Sequence, residues 1–303
     1  MPTTTWVNHY NAIIRTDGLF SFQANLAYLN RSTNECMFHI EEGSVIRAIE
    51  VEGQTYLISI SSENDSDLCI RFLQQAPMDQ AIRYKIITYV CDWFDLYTDL
   101  DAFYTMAATD PLLHQPVSTF YGLRVIGIPD LYEALVWGIL GQQINLSYAY
   151  TLKRRFVEQF GNSIDSDGTT FWLFPKPDIV ASSSIEELMN LGMTKRKAEY
   201  LLSVSQLLKD GTLSKANLAT DLKTAEKQLT SIRGIGPWTA NYVLMRCLRF
   251  PNAFPIDDVG LHNAIKFICG IERKPTKTEI REMAMLWKGF ESYATFYLWR
   301  MLY

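Results

Sequence analysis

Two aspartates stand side by side in FPIDDVGLHNAIKFI, where Asp257 and Asp258 open a segment with helical spacing. A carboxylate at the start of a helix accepts from the free N–H groups there and gains from the helix dipole. One aspartate satisfies a cap, so a second leaves room for chemistry. An ionised carboxylate facing a cleft stabilises a developing cation or orients a water. Upstream lies RGIGPWTANY, in which Gly234 and Gly236 flank Ile235. Two glycines so close leave their N–H groups unshielded, and Pro237 starts the next helix where its missing N–H costs nothing. Together they form a concavity suited to an anion. The alternative is a plain helical hairpin whose glycines only make the turn. Trp238 and Tyr242 follow, one helical turn apart. Their ring faces suit either core packing or the selection of a cation.

The remaining chemistry-bearing residue types narrow the field. Five scattered cysteines contain no C-x-x-C pair, and four histidines show no ligand spacing. Neither pattern fits a disulfide framework, a zinc site or an iron–sulfur cluster, so no metal is expected. The chain carries a net charge of −5, yet the sign is divided along its length. Residues 1–100 hold 6 Lys/Arg against 13 Asp/Glu, whereas residues 191–250 hold 10 against 4. A local basic stretch can meet phosphates, although a solvated helical face would read the same way. Lys195, Arg196 and Lys197 open a helix against its dipole; a nearby phosphate or an exposed loop would relieve that, and the exposed loop is expected. The N-terminal MPTTTWVNHYN has neither the basic nor the apolar part of a signal peptide, and no apolar run spans a bilayer. A cytoplasmic protein is expected.

Two kinds of segment must position these residues. Over the first hundred residues, segments 12–17, 36–61 and 67–74 alternate β-branched and aromatic residues around the turns EGS and EGQ. FSFQANLAYLN and MDQAIRYKIITYVCDWFDL have helical spacing instead. From about Asp99 helix follows helix, including DLKTAEKQLTSI and WTANYVLMRCLRF on either side of the glycine turn. Ile235 is expected to plug between those two. The fold class is therefore α+β: an N-terminal antiparallel α/β domain over 1–98, then an all-α domain over 99–303.

The stretch LTSIRGIGPWTANYVLMRCLRFPNAFPIDDVGLHNAI closely resembles the helix-hairpin-helix motif and catalytic loop of the DNA glycosylase superfamily. Within it, the match is best to the AlkA-type 3-methyladenine DNA glycosylases. LYEALVWGILGQQINLSYA, LMNLGMTKRKAEYL and LWKGFESYATFYLWRML extend the resemblance over most of residues 95–303. The first hundred residues resemble that family's TATA-binding-protein-like domain more loosely.

The resemblance implies removal of alkylated purines from duplex DNA by cleavage of the N-glycosidic bond. By motif, Asp258 corresponds to the catalytic aspartate, and Asp257 is left as a cap or structural residue. Trp238, Tyr242 and Trp299 correspond to the lining of the base pocket. Gln143 stands where the family inserts a side chain into the gap left by the flipped base. Gly234, Ile235 and Gly236 correspond to the phosphate-binding hairpin, whose carbonyls can also hold a monovalent cation; no other cofactor is implied. Trp238 occupies the place of the Schiff-base lysine of bifunctional relatives, and there is no C-terminal four-cysteine cluster. A monofunctional, monomeric enzyme whose partner is double-stranded DNA containing alkylated bases is therefore expected. Val259, Gly289 and Glu291 depart from the family pattern.

Overall fold

The structure, a computed structural model, describes residues 2–16 and 18–302. Asp17, which closes the strand segment expected over 12–17, lies outside the described residues, as do Met1 and Tyr303. Six strands form one antiparallel sheet: β1 (Thr3–Trp6), β2 (Asn11–Arg15), β3 (His39–Glu41), β4 (Ser44–Val51), β5 (Gln54–Ser61) and β6 (Leu68–Phe72). Their spatial order is β1-β2-β6-β5-β4-β3. The two glycine turns close two-residue loops, with Glu41 paired to Ser44 and Val51 to Gln54. Glu42 and Gly43 have φ of 46° and 74°, and Glu52 and Gly53 have 51° and 77°. Positive φ at both loop residues gives a turn whose twist matches that of the flanking strands. Strand β1 was not anticipated; its TTTW offers no alternation by which to recognise it.

Paired positions Ala12, Ile70, Ile60 and Val45 run as a buried row across the sheet. Helices Phe22–Leu29 and Gln80–Trp93 complete this half of the molecule. Beyond Leu100 the chain is helical, with one exception. Strands β7 (Ser163–Ser166) and β8 (Thr169–Trp172) form a hairpin, and Phe171 and Leu173 cluster with Ala48 and Leu57 of the sheet. The turn residues Asp167 and Gly168 have φ of 49° and 78°. The flanking β-branched residues around that DG pair carried the signal.

One hydrophobic core runs through both halves, from Ala12 to Trp299. The rings of Tyr28 and Phe296 meet across the junction with centroids 4.5 Å apart. A buried charge chain crosses it too. Arg47 of β4 meets Glu133 at 2.8 Å, and Lys153 meets Glu133 at 3.2 Å and Glu35 at 3.0 Å. Burial alone would raise the Glu133 carboxyl, but the charges of Arg47 and Lys153 outweigh it and hold the group below its usual value. Removing one member of such a group leaves an uncompensated buried charge, so the chain fixes how the halves meet. Among the described residues no helix is long and apolar enough to cross a membrane.

Candidate active site

Three helices of the helical half converge on one carboxylate, that of Asp258. Helix Leu222–Thr230, begun by the Asp221 cap, leads into the glycine turn. Pro237 then opens helix Pro237–Arg246, whose N-cap residue is Gly236 and whose N-terminus has no side-chain cap. Ile235 is 3% exposed and belongs to the buried core. The two glycines are not equivalent. Gly234 has φ +96°, and a Cβ there would lie 2.2 Å from the Tyr200 ring. Gly236 has φ −85°, and a Cβ there would meet nothing within 4 Å. The fold demands glycine at the first position and leaves the second open to solvent.

Asp258 is the N-cap of helix Val259–Cys269, its Oδ1 accepting from the Leu261 N–H at 2.7 Å. The same oxygen accepts from the Trp299 indole N–H at 2.7 Å, and Oδ2 accepts from that of Trp238 at 2.7 Å. Capping and site are thus the work of one residue. Asp257, left between cap and structural part by the sequence, is not the cap; its carboxylate pairs with Lys277 instead. Gly260 makes room for this arrangement, since a Cβ there would lie 2.8 Å from Asp258 Oδ1 and 3.2 Å from the Trp299 ring.

Tyr242 sits between the two indoles. Its ring centroid is 5.6 Å from Trp238 and 6.3 Å from Trp299, with interplanar angles of 31° and 32°. The three aromatic residues therefore come together in one row, with Tyr242 in the middle. Trp238 is half-buried, while Tyr242 and Trp299 are buried, so Trp238 presents the accessible ring. Behind Tyr242 lies Arg246, which the sequence reading passed over. Its guanidinium donates to the Tyr242 hydroxyl at 2.9 Å, to the Tyr28 hydroxyl at 3.0 Å and to the Ile126 carbonyl at 2.6 Å. Burial pushes the Tyr242 phenol up to about 12 despite the opposing charge of Arg246. The four-residue spacing of Tyr242 and Arg246 on one helix was the available signal.

Gln143 lies in the turn after helix Leu131–Leu140, exposed and with φ +55°. A non-glycine residue is held in that region only when its surroundings determine it. Its neighbour Gln142 ties the turn to the hairpin, donating to the Gly234 carbonyl at 2.9 Å and to Thr239 Oγ1 at 3.0 Å. Gly141 approaches Trp238, a Cβ there lying 3.9 Å from the indole. The exposed turn, the hairpin and the carboxylate thus share one face. Lys197 is not on an exposed loop, in contrast to the expectation for its basic run; it is buried, with its ammonium on the Leu140 carbonyl at 2.7 Å.

The family described as "HhH-GPD superfamily base excision DNA repair protein" matches residues 136–289, which contain the hairpin, Asp258 and Gln143. The chain belongs to that superfamily. As an HhH-GPD protein it also carries a match over residues 20–135 to "8-oxoguanine DNA glycosylase, N-terminal domain". A DNA-3-methyladenine glycosylase of Bacillus subtilis is 50% identical over 302 residues, covering 99% of this chain and 100% of that one. DNA-3-methyladenine glycosylase 2 of Escherichia coli is 32% identical over 178 residues, covering 59% of this chain and 60% of that one. The structure of a 3-methyladenine DNA-glycosylase from Archaeoglobus fulgidus shares the fold, with a TM-score of 0.82 at 22% identity, covering 95% of this chain and 97% of that one.

Proposed function

We propose that this HhH-GPD protein is a monofunctional glycosylase that flips alkylated purines of the 3-methyladenine and 7-methylguanine type out of duplex DNA and hydrolyses their N-glycosidic bond. The observation that carries the reading is the Asp258 carboxylate held by both indole N–H groups at the mouth of the aromatic row. An alkylated purine bears positive charge, so it is attracted to an indole face and departs readily without a strong general acid. Its departure leaves an oxocarbenium-like sugar that a fixed negative charge stabilises while water attacks. Three N–H donors already occupy Asp258. That occupancy favours a fixed charge over a proton-abstracting base.

The uncapped N-terminus at Gly236 and the open space before it suit a DNA phosphate. The hairpin carbonyls are the proposed seat of a monovalent cation. Gln143 is the side chain that fills the vacated stack. Trp238 stands where strand-cutting relatives need an amine, and an indole forms no Schiff base. The likeness to the Bacillus subtilis glycosylase over nearly the whole chain supports the substrate class.

The test is incubation with methylated duplex DNA, with freed bases identified by mass spectrometry and strand breaks counted before and after alkali. Release of 3-methyladenine or 7-methylguanine is expected, with breaks only after alkali. No methylated base in the supernatant would overturn the substrate assignment. Breaks without alkali, together with borohydride trapping of the protein on DNA, would overturn the monofunctional one.

A further inference from the structure

Helix Leu131–Leu140 ends directly before the turn that carries Gln143, and its last carbonyls need donors. The Gly141 N–H donates to the Trp137 carbonyl at 3.0 Å, and the Gln142 N–H to that of Ile139 at 3.3 Å. The Leu140 carbonyl accepts the ammonium of Lys197 at 2.7 Å. Lys197 lies in the first turn of helix Lys195–Lys209, where a cation opposes the dipole, and it is only 8% exposed. Burial pushes this ammonium below the usual lysine value. Packing alone would be served better by an uncharged side chain at this position. What the charge does gain is the negative end of the Leu131–Leu140 helix, at the point where regular structure gives way to the exposed turn.

A second tether holds the same turn, through the Gln142 amide on Gly234 and Thr239. Directly after these two tethered residues, Gln143 stands exposed with φ +55°. We propose that Lys197 is a positioning residue for base extrusion, its ammonium fixing the end of helix Leu131–Leu140 so that the turn aims Gln143 into the duplex. The inference rests on the reading of Gln143 as the side chain that enters the stack. Lys197 touches neither DNA nor the reacting atoms; it acts through the turn.

The experiment compares Q143A, K197M, K197Q and K197R in the full chain on two substrates. One is a duplex with 7-methylguanine paired to cytosine and 2-aminopurine beside it, which brightens when the stack opens. The other carries the same lesion in a single-nucleotide bulge, where extrusion costs less. Q143A is expected to lose most of the brightening and to release the paired lesion about tenfold more slowly or worse, while approaching wild type on the bulge. K197M is expected to show the same split, and K197R to restore brightening and rate. Affinity for undamaged duplex should stay within about threefold throughout, because the hairpin is untouched. If K197M does not fold, K197Q carries the comparison, as its amide retains a donor without the charge. Were Q143A to lose brightening while K197M and K197Q kept it, the role of Lys197 would be refuted. Equal slowing on both substrates would refute it too, by showing a general structural defect. If Q143A behaved as wild type on both substrates, the reading of Gln143 would fail first.

Discussion

Replacing Asp258 by asparagine tests the centre of the site. The substitution keeps the shape and the helix cap, since asparagine caps as well as aspartate. It removes a unit charge and turns one acceptor into a donor. If the amide nitrogen takes the place of Oδ2, the Trp238 N–H loses its partner. If it takes the place of Oδ1, both Leu261 and Trp299 lose theirs. The first orientation is cheaper, and one unsatisfied donor costs about 1–3 kcal/mol. Trp238 is half-buried, which places the cost toward the lower end. A loss of that size lowers the melting temperature by roughly 2–4 °C per kcal/mol. The catalytic loss is larger. A charge about 4 Å from a developing cation, at an effective dielectric near 20, contributes about 4 kcal/mol. That is roughly a thousandfold in rate. Single-turnover release of 7-methylguanine should therefore fall about a thousandfold, while anisotropy titration shows lesion-DNA affinity within about threefold of wild type. Release within about threefold of the wild-type rate would show that the charge does not serve the reaction. D257N is the control; its carboxylate only pairs with Lys277 at the surface, and its cost should stay within about 1 kcal/mol.

The two hairpin glycines should separate stability from binding. Gly234→Ala forces a Cβ onto the Tyr200 ring at positive φ and should destabilise by about 2 kcal/mol or more in urea titration. Gly236→Ala should unfold within about 1 kcal/mol of wild type yet bind duplex DNA more weakly, by an amount that shrinks as salt rises. Gly260→Ala pushes on both Asp258 and Trp299, so release should slow more than tenfold while the melting temperature moves only a few degrees. Glu133→Gln leaves Arg47 and Lys153 short of a negative partner and should cost about 3–5 kcal/mol at neutral pH. The wild-type carboxyl is held below its usual value of 4.5, so its contribution is present above that pH and is lost as pH falls through the lower folded value. The gap between wild type and E133Q should therefore narrow on acidification below pH 4.5; a constant gap would mean that Glu133 acts through packing alone.

What the sequence disclosed followed from local rules. Gly234, Ile235 and Gly236 declared a turn, Pro237 a helix start and the aspartate pair a capped helix, because each depends on neighbours within a few residues, but which of the two aspartates caps was assigned the wrong way round. The EGS and EGQ turns disclosed the sheet for the same reason. Partnerships across long separations were silent. Nothing local announces that the Trp238 and Trp299 indoles meet on one carboxylate, or that Lys197 reaches Leu140, since each depends on how helices distant in sequence pack. In the basic run at 195–197, Lys195 and Arg196 are exposed as expected, but Lys197 misled because charge density was read as exposure, whereas the helix end opposite it supplies the compensation. The role of Arg246 stayed hidden because its acceptors are two phenols and a carbonyl, none of them a charge that pairs by pattern.

The continuous core has a consequence for which lesions are met first. Because one core joins its halves, we expect the protein to yield little in shape on a duplex, so that the DNA supplies the bending and unstacking. That deformation costs less at flexible pyrimidine–purine steps and next to weakly paired bases than in stiff adenine tracts. Two identical adducts in different flanking sequence should therefore be repaired at different rates, the surrounding base steps acting as a second, unread part of the substrate.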